Sequence, residues 1–375
     1  LVLPPSLSSS NSGEFGSGNQ FLPLSWQSLH HDISLLGAEL QPSVIAITDA
    51  PQLSNSGGKL VEALIVIRRR FPSSLIWTPG ISGPDNCALL SWLGVDLFDL
   101  SRSRIANANG ILLTSDGPRY AETSLGEHVN MGTQIDHWRY SIASLRSAIR
   151  SGTVRELAEK ASLSSPRSVE RLRRHDTSIR TDKGSSTLTA VDTSGRKLRY
   201  NSPVSRQDPL VYDWRNRVSR LHTPPSHQEQ LLILLPCSAT KPYRLSQSHH
   251  RFIRNIPSNR AHQMMVTSPL GLVPRELEDL WPAAHYDIPV TGDWDVDELQ
   301  MVNSMISEVC ERVGYSEIIN HSGMDVSIEG IVCHNTRKGT AGSKESLDEL
   351  RKSVLKSIAG MNLADRSEKQ HRIEV

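Results

Sequence analysis

The stretch Leu231–His250, LLILLPCSATKPYRLSQSHH, constrains this chain most. Five aliphatic residues, Leu231 to Leu235, run straight into Pro236-Cys237, and Lys241, Tyr243, Ser246 and His249 follow within a dozen positions. A continuous apolar run bounded by Pro has no polar face to give to water, so it reads as a buried strand of a sheet covered on both faces. Side chains placed just after such a strand sit at its carboxyl end, where open α/β sheets build ligand crevices.

Composition narrows the class. The 375 residues are enough for two or three domains, and 37% hydrophobic with 22% charged residues is an ordinary globular balance. Net charge is only +1, so any nucleic-acid footprint has to be local. Arg167 to Arg174, Arg180 to Lys183, and Arg244 with His249 to Arg254 are the basic stretches available for one; a solvated helix face is the plainer account of the first. Cys87, Cys237, Cys310 and Cys333 form no CxxC pair, which fits a reducing cytoplasm and offers no zinc spacing, so no metal site is read. No apolar run approaches a membrane span, and no signal peptide is recognisable. The missing initiator Met leads us to expect a fragment or a processed chain.

Along the chain, residues 1–25 are rich in Ser, Gly, Asn and Pro and read as a poorly ordered arm. Leu29, Ile33, Leu36 and Leu40 have helical spacing. Strands are then expected at Ser43–Thr48, Leu75–Trp77 and Val95–Asp99, alternating with helices at Leu60–Arg70 and Cys87–Leu93, the latter capped by Gly94. This alternation predicts parallel βα units, either half of a (β/α)8 barrel or a barrel with a degenerate first half. A helical region follows. Ile135, Trp138, Ile142, Leu145 and Ile149 form one stripe, Thr153 and Glu156 stand at capping-box spacing, and Val169 to Arg174 closes the region. Polar sequence from His175 to Asn201 marks the domain boundary. Beyond it come a short helix at Tyr212–Arg220, the opening strand, a strand at Ala261–Thr267, a Gly/Pro loop at Ser268–Pro274, a short helix at Glu276–Leu280 and a strand end at Tyr286–Pro289. A helix at Val296–Val313, entered through Asp293, Asp295 and Asp297, strands at Tyr315–Ile319 and Ile328–Cys333, and a helix at Ser343–Ile358 complete a second α/β domain.

Cys237 alone would read as a small buried hydrophobe. Lys241 four residues on can favour its thiolate, and His249 can do the same or relay a proton, which makes the segment a candidate site for nucleophilic chemistry.

The pattern P-C-x3-K-P-Y-x2-S-x2-H resembles the signature of the archaeosine synthases, archaeal tRNA-modifying relatives of the tRNA-guanine transglycosylases. Pro79-Gly-Ile-Ser-Gly-Pro84 followed by Gly94-Val-Asp-Leu-Phe-Asp99 resembles the second half of the transglycosylase barrel. Ile149–Leu157 and Leu172–Asp176 resemble the helices after it, and Ser268–Pro274 with Asp287 to Trp294 resembles the rest of the synthase core. The resemblance covers roughly residues 26–358. It implies an α/β protein with a degenerate transglycosylase-like (β/α) barrel portion and a second α/β three-layer domain. The divisions expected are an arm (1–25), the barrel portion and following helices (26–176), a linker (177–222), the core domain (223–360) and a charged tail (361–375).

The resemblance also implies a substrate, tRNA carrying 7-cyano-7-deazaguanine at position 15 of the D-loop, and a reaction, addition of an amine donor (lysine) to its nitrile. Cys237, Lys241 and His249 would be catalytic. Tyr243, Ser246, Ser268, Gly271, Asp287 and Asp293 would bind substrate, although Asp287 and Asp293 have loop and helix-cap roles as the alternative. Cys237 either adds to the nitrile or only shapes the pocket. No cofactor is expected in this chain, with lysine as co-substrate. Expected partners are tRNA, a radical-SAM protein with its iron–sulfur cluster and a separate PUA-domain protein, in the cytoplasm and with no membrane. Two departures matter. Tyr120 to His137 holds no cysteine, leaving His128 and His137 a poor zinc site. Asp99 falls at the transglycosylase nucleophile position, yet the first half of that barrel is missing or reduced, so Asp99 is expected to cap a loop. The competing functions are base exchange by a true transglycosylase and a non-catalytic tRNA-binding subunit.

Overall fold

A computed structural model describes residues 21–31, 41–181, 197–289 and 292–373. Most of the expected arm, the continuation of the first helix through Ile33, Leu36 and Leu40, Lys183, and the glycine-containing stretch around Gly184 and Gly195 lie outside the described residues. The chain divides into two compact units, Leu1–Thr193 and Ser194–Val375. No helix among the described residues is long and apolar enough to cross a membrane.

The first unit opens with strand β1 (Phe21–Leu24), helix α1 (Trp26–His31), β2 (Val44–Ile47), α2 (Ala50–Ser54), α3 (Lys59–Arg70), β3 (Leu75–Trp77) and α4 (Cys87–Trp92). The three strands pair in parallel in sequence order. The strand expected at Val95–Asp99 reduces to one parallel bridge between Trp77 and Leu97. The Asp96 and Leu97 amides donate to the Ile76 carbonyl at 2.9 and 3.0 Å, and the Asp96 carboxylate accepts from the Ile76 amide at 2.8 Å and from Arg68 at 2.7 Å. α5 (Ser101–Ala108) and a hairpin of β4 (Ile111–Thr114) and β5 (Gly117–Tyr120) come next, neither of them anticipated.

The helices α6 (Met131–Ser151), α7 (Val154–Ser162) and α8 (Pro166–Thr181) follow. Trp138 and Leu145 of the predicted stripe are buried with Cys87 and Ala88, whereas Ile149 is 51% exposed, because the buried face runs through Gln134, Trp138, Ser141, Leu145 and Ala148 and Ile149 lies beside it. The Thr153–Glu156 box does not form: Thr153 makes no side-chain cap hydrogen bond, and its hydroxyl instead meets that of Ser151 at 2.9 Å. α7 and α8 are tied by a buried bidentate pair, Arg155 to Asp176 at 2.5 and 2.8 Å.

The second unit contains β6 (Leu198–Arg199), α9 (Pro209–Arg220), β7 (Leu231–Pro236), α10 (Gln247–Asn255), β8 (Ala261–Thr267), β9 (Gly271–Pro274), β10 (Tyr286–Asp287), α11 (Val296–Val313), β11 (Glu317–Asn320), β12 (Val332–Asn335) and α12 (Lys344–Ile373). Its sheet runs β12-β11-β7-β8-β9, parallel except for β9. α9 packs with α11, and α10 with α12. These two helix pairs bury every side chain of Leu231–Leu235, giving the expected three-layer α/β arrangement. The stretch read as a linker supplies the end of α8 and the whole of α9, whose Trp214 indole donates to the Leu272 carbonyl at 3.0 Å.

Several sequence expectations shift. The Gly/Pro loop at Ser268–Pro274 is a turn leading into edge strand β9, where the terminal Pro274 costs no interior ladder bond. Glu276–Leu280 is only a 3-10 turn over Arg275–Leu277. Tyr286–Pro289 does not join the main sheet: β10 pairs with β6 in a separate two-stranded ribbon. The last strand starts later than Ile328. The final helix runs on to Ile373, through the expected tail.

Candidate active site

β7 is the first strand of its sheet in chain order. The chain leaves it through α10 toward β8 on one side and returns to β11 on the other. Strand order therefore reverses at β7, the topological switch point where open α/β sheets form a crevice at the strands' carboxyl ends. A cavity of about 520 Å³ lies there, lined by residues that follow β7 (Cys237), β8 (Ser268) and β11 (Met324 and Asp325), and by Asp293 and Arg337. The volume is in the range of small-molecule sites.

Cys237 is half-buried, with no disulfide partner. Burial pushes its thiol above the usual value, an effect that the neighbouring Lys241 charge and a hydrogen bond with Thr267 only partly offset. Lys241 shows the complementary perturbation. Burial lowers its ammonium, with Cys237 and Asp287 acting the other way. Its Nζ lies 4.3 Å from the centre of the Tyr286 ring and is buried without a hydrogen-bond partner. Thiol and amine are thus moved toward each other in proton affinity, both by loss of water.

Behind them the side chains form a fixed wall. Tyr243 is fully buried, and its hydroxyl meets that of Tyr286, which meets the Thr267 hydroxyl at 2.6 Å. His249 is also fully buried. Arg275 donates to its Nδ1 at 3.0 Å, so Nε2 carries the proton and donates to the Pro236 carbonyl at 3.0 Å. Burial first, and then the Arg275 charge, push the imidazole down to about 3. A neutral ring with both nitrogens engaged holds the end of β7 in place. Ser246 caps α10, accepting from the His249 amide at 3.2 Å.

The remaining predicted residues divide. Ser268 and Asp293 line the cavity, and the Ser268 hydroxyl donates to Glu298. Gly271 works through packing: at φ +77° it starts β9, and a Cβ there would lie 2.1 Å from the Met305 sulfur. Asp287 stands outside the lining, 3.0 Å from Lys197. The structure thus brings Cys237, Ser268 and Asp293 together around the cavity and sets Lys241 beside Cys237; Tyr243, Ser246 and His249 support the wall. The helix opened by the three acids is capped by Asp295 in a box with Glu298.

The sequence reading missed Thr267, Ser322, Asp325 and Arg337. Arg337 bridges the Ser322 carbonyl at 2.7 Å and the Gly339 carbonyl at 2.9 Å, lying where a side chain on Gly323 would be. The signal was present: Asn320-His321-Ser322 follows the apolar β11 as Pro236-Cys237 follows β7.

In the first unit, Asp99 is buried. Its carboxylate accepts from the Gly80 amide at 2.9 Å, the Trp77 indole at 3.1 Å and the Ser101 amide at 2.8 Å. Despite the opposing effect of burial, these hydrogen bonds hold its pKa below the usual carboxylate range. It caps the Pro79–Pro84 loop, as expected.

Comparison with known proteins fits this geometry. Residues 211–354, which run from within α9 into α12 and include all of the cavity lining, match a family described as a domain of unknown function (DUF5591). The chain is 30% identical over 330 residues to archaeosine synthase subunit alpha of Methanosarcina acetivorans, covering 77% of this chain and 50% of that protein. It is 31% identical over 321 residues to the subunit of the same name from Thermoplasma acidophilum, covering 84% of this chain and 60% of that protein. A tRNA-guanine(15) transglycosylase of Methanobrevibacter smithii is 26% identical over 225 residues, covering 57% of this chain and 31% of that protein. The chain spans about half the length of the curated relatives it matches. Over most of its own length this chain is similar to proteins named archaeosine synthase.

Proposed function

We propose that this chain acts in archaeosine biosynthesis, adding the amine of lysine to the nitrile of 7-cyano-7-deazaguanine in the D-loop of tRNA. The observation that carries the reading is Cys237 facing the switch-point cavity with the buried, unpartnered Lys241 amine beside it. A nitrile carbon accepts a nucleophile readily only when its nitrogen is protonated in the same step. The raised thiol and lowered ammonium favour the neutral forms and bring the two proton affinities closer together, so Lys241 in its amine form takes the Cys237 proton as sulfur attacks and passes it to the nitrile nitrogen in the same step. The product is a thioimidate, with one C–S bond formed and one π bond of the nitrile consumed. The donor amine attacks the same carbon, the C–S bond breaks, and the thiolate leaves as Lys241 relays the amine's proton back to sulfur. An amidine joined to lysine results, with no oxidant or reductant required.

The other residues take supporting roles. Asp293 and Asp325 would hold the donor's ammonium, Arg337 its carboxylate, and Ser268 the imidate nitrogen. His249 and Ser246 fix the end of β7 and the start of α10, and Tyr243 and Tyr286 form the floor under Lys241. The base must leave its tertiary pairing to reach the cavity. A radical-SAM partner carrying an iron–sulfur cluster would then cleave the adduct, and a PUA-domain protein would help hold the tRNA.

Mass spectrometry of nitrile-bearing tRNA after incubation with the protein and lysine tests this. The reading requires a mass gain of one whole lysine with no loss; no gain, with tRNA still bound, would mean a binding subunit. Base exchange is the other reading, motivated by the transglycosylase relative. The three hydrogen bonds on Asp99 make it a loop cap, so labelled guanine should not enter the tRNA.

A further inference from the structure

Among the described residues, His222, His262 and Glu276 form the one group of His, Cys, Asp and Glu side chains whose donor atoms converge, all within 4.8 Å. They come from three separate segments: the turn after α9, strand β8, and the 3-10 turn after β9. Both imidazoles aim Nε2 at a single oxygen, Oε1 of Glu276, at 2.9 Å for His222 and 3.0 Å for His262. In a tetrahedral zinc site with metal–ligand bonds near 2.1 Å, ligand atoms stand about 3.4 Å apart. An opening of roughly 0.4–0.5 Å at the two Glu276 contacts would therefore admit an ion.

We propose that His222 Nε2, His262 Nε2 and a Glu276 carboxylate oxygen form a binding site for a divalent transition-metal ion of the zinc class. Three features beyond convergence support this. His262 is fully buried, and its Nδ1 is hydrogen-bonded to the Tyr315 hydroxyl, the kind of outer contact that orients a ligating imidazole. Glu276 is 31% exposed and His222 13% exposed, so an ion can enter from solvent and keep a water as its fourth ligand. Two imidazoles with one carboxylate favour zinc, cobalt or nickel over magnesium or calcium, which prefer all-oxygen shells.

The ion takes the Nε2 lone pair of each imidazole, so each neutral ring holds its single proton on Nδ1. His262 then carries its proton on Nδ1 and donates it to the Tyr315 oxygen. His262 is the second residue of β8 and Thr267 the last, so the site lies about 17 Å along the strand from the residue that contacts Cys237. The ion would fasten the end of α9 to the amino edge of the sheet and take no part in chemistry at Cys237. The proposal is therefore independent of the reaction proposed above.

The test is titration of tag-free, chelator-treated full-length protein with Co²⁺. The site predicts saturation at one equivalent with visible d–d bands of a tetrahedral ion, reversed by Zn²⁺, and a higher melting temperature with Zn²⁺. Affinity should fall more than about tenfold in His222→Ala and in Glu276→Gln, an isostere that keeps an acceptor and so guards against simple misfolding. His227→Ala, on the exposed turn nearby, should bind as the parent does. A spectrum of hydrated cobalt at one equivalent would show a hydrogen-bonded triad only. Bands that persist in both variants, or intense thiolate charge-transfer bands, would place the ion elsewhere; any of these results overturns the proposal.

Discussion

Lys241→Met removes a charge that the fold buries without a hydrogen-bond partner. An unsatisfied buried donor costs about 1–3 kcal/mol, and the half-buried position argues for the lower end. The contact of Nζ with the Tyr286 ring, at 4.3 Å, returns about 0.5–1 kcal/mol. Met keeps the stem and its packing, so the variant should gain up to about 0.5 kcal/mol, or about 1–2 °C in melting temperature for a unit of this size. The sign follows from the lowered ammonium: between the folded and unfolded pKa the unfolded chain binds more protons, so the parent gains stability as pH rises through that window. The advantage of Met is thus largest near neutrality and disappears above the ordinary lysine value of 10.5. The same variant should form no lysine adduct on nitrile-bearing tRNA. Calorimetry at two pH values, with adduct mass spectrometry, reads both. A variant that melts below the parent at neutral pH, or that forms adduct at the parent rate, refutes the reasoning.

Two further outcomes follow from the wall of the site. Gly271→Ala adds a Cβ at 2.1 Å from the Met305 sulfur, at a φ of +77° that Ala tolerates poorly; a loss of about 2–4 kcal/mol is expected in urea unfolding, and a loss below about 0.5 kcal/mol would contradict the packing role. His249, held at about 3, should show a flat imidazole NMR shift from about pH 8 to 5. Because the unfolded chain takes that proton near 6.5, its contribution to stability is complete above that value and is lost as pH falls toward 3; a native-state titration near 6.5 would refute the buried hydrogen-bonded ring.

Much of this was legible because the physics is local. LLILL, short and bounded by Pro236, reads as a strand covered on both faces, and that places Cys237 at the carboxyl end of a parallel sheet. The helices with strong apolar periodicity and clear ends, such as Lys59–Arg70 and Val296–Val313, were also readable. What escaped depends on distant partners. The sequence shows Lys241 and His249 near Cys237, but only the fold puts Arg275 on one imidazole nitrogen and the Pro236 carbonyl on the other, and so separates an unpartnered amine from a locked ring. β9 was hidden because its strand character rests on pairing with β8, across a turn that Gly271 makes possible. His222, His262 and Glu276 escaped for the same reason: 54 positions separate the first from the last, and sheet packing alone joins them.

The central claim is that the Cys237 sulfur bonds to the nitrile carbon, and adduct formation by Cys237→Ala tests it most directly. The variant should bind nitrile-bearing tRNA, leave its mass unchanged in the presence of lysine, and give no protein–tRNA conjugate under conditions where the parent gives one. A lysine-sized mass gain that survives Cys237→Ala would contradict the covalent mechanism and leave Cys237 as a wall of the pocket.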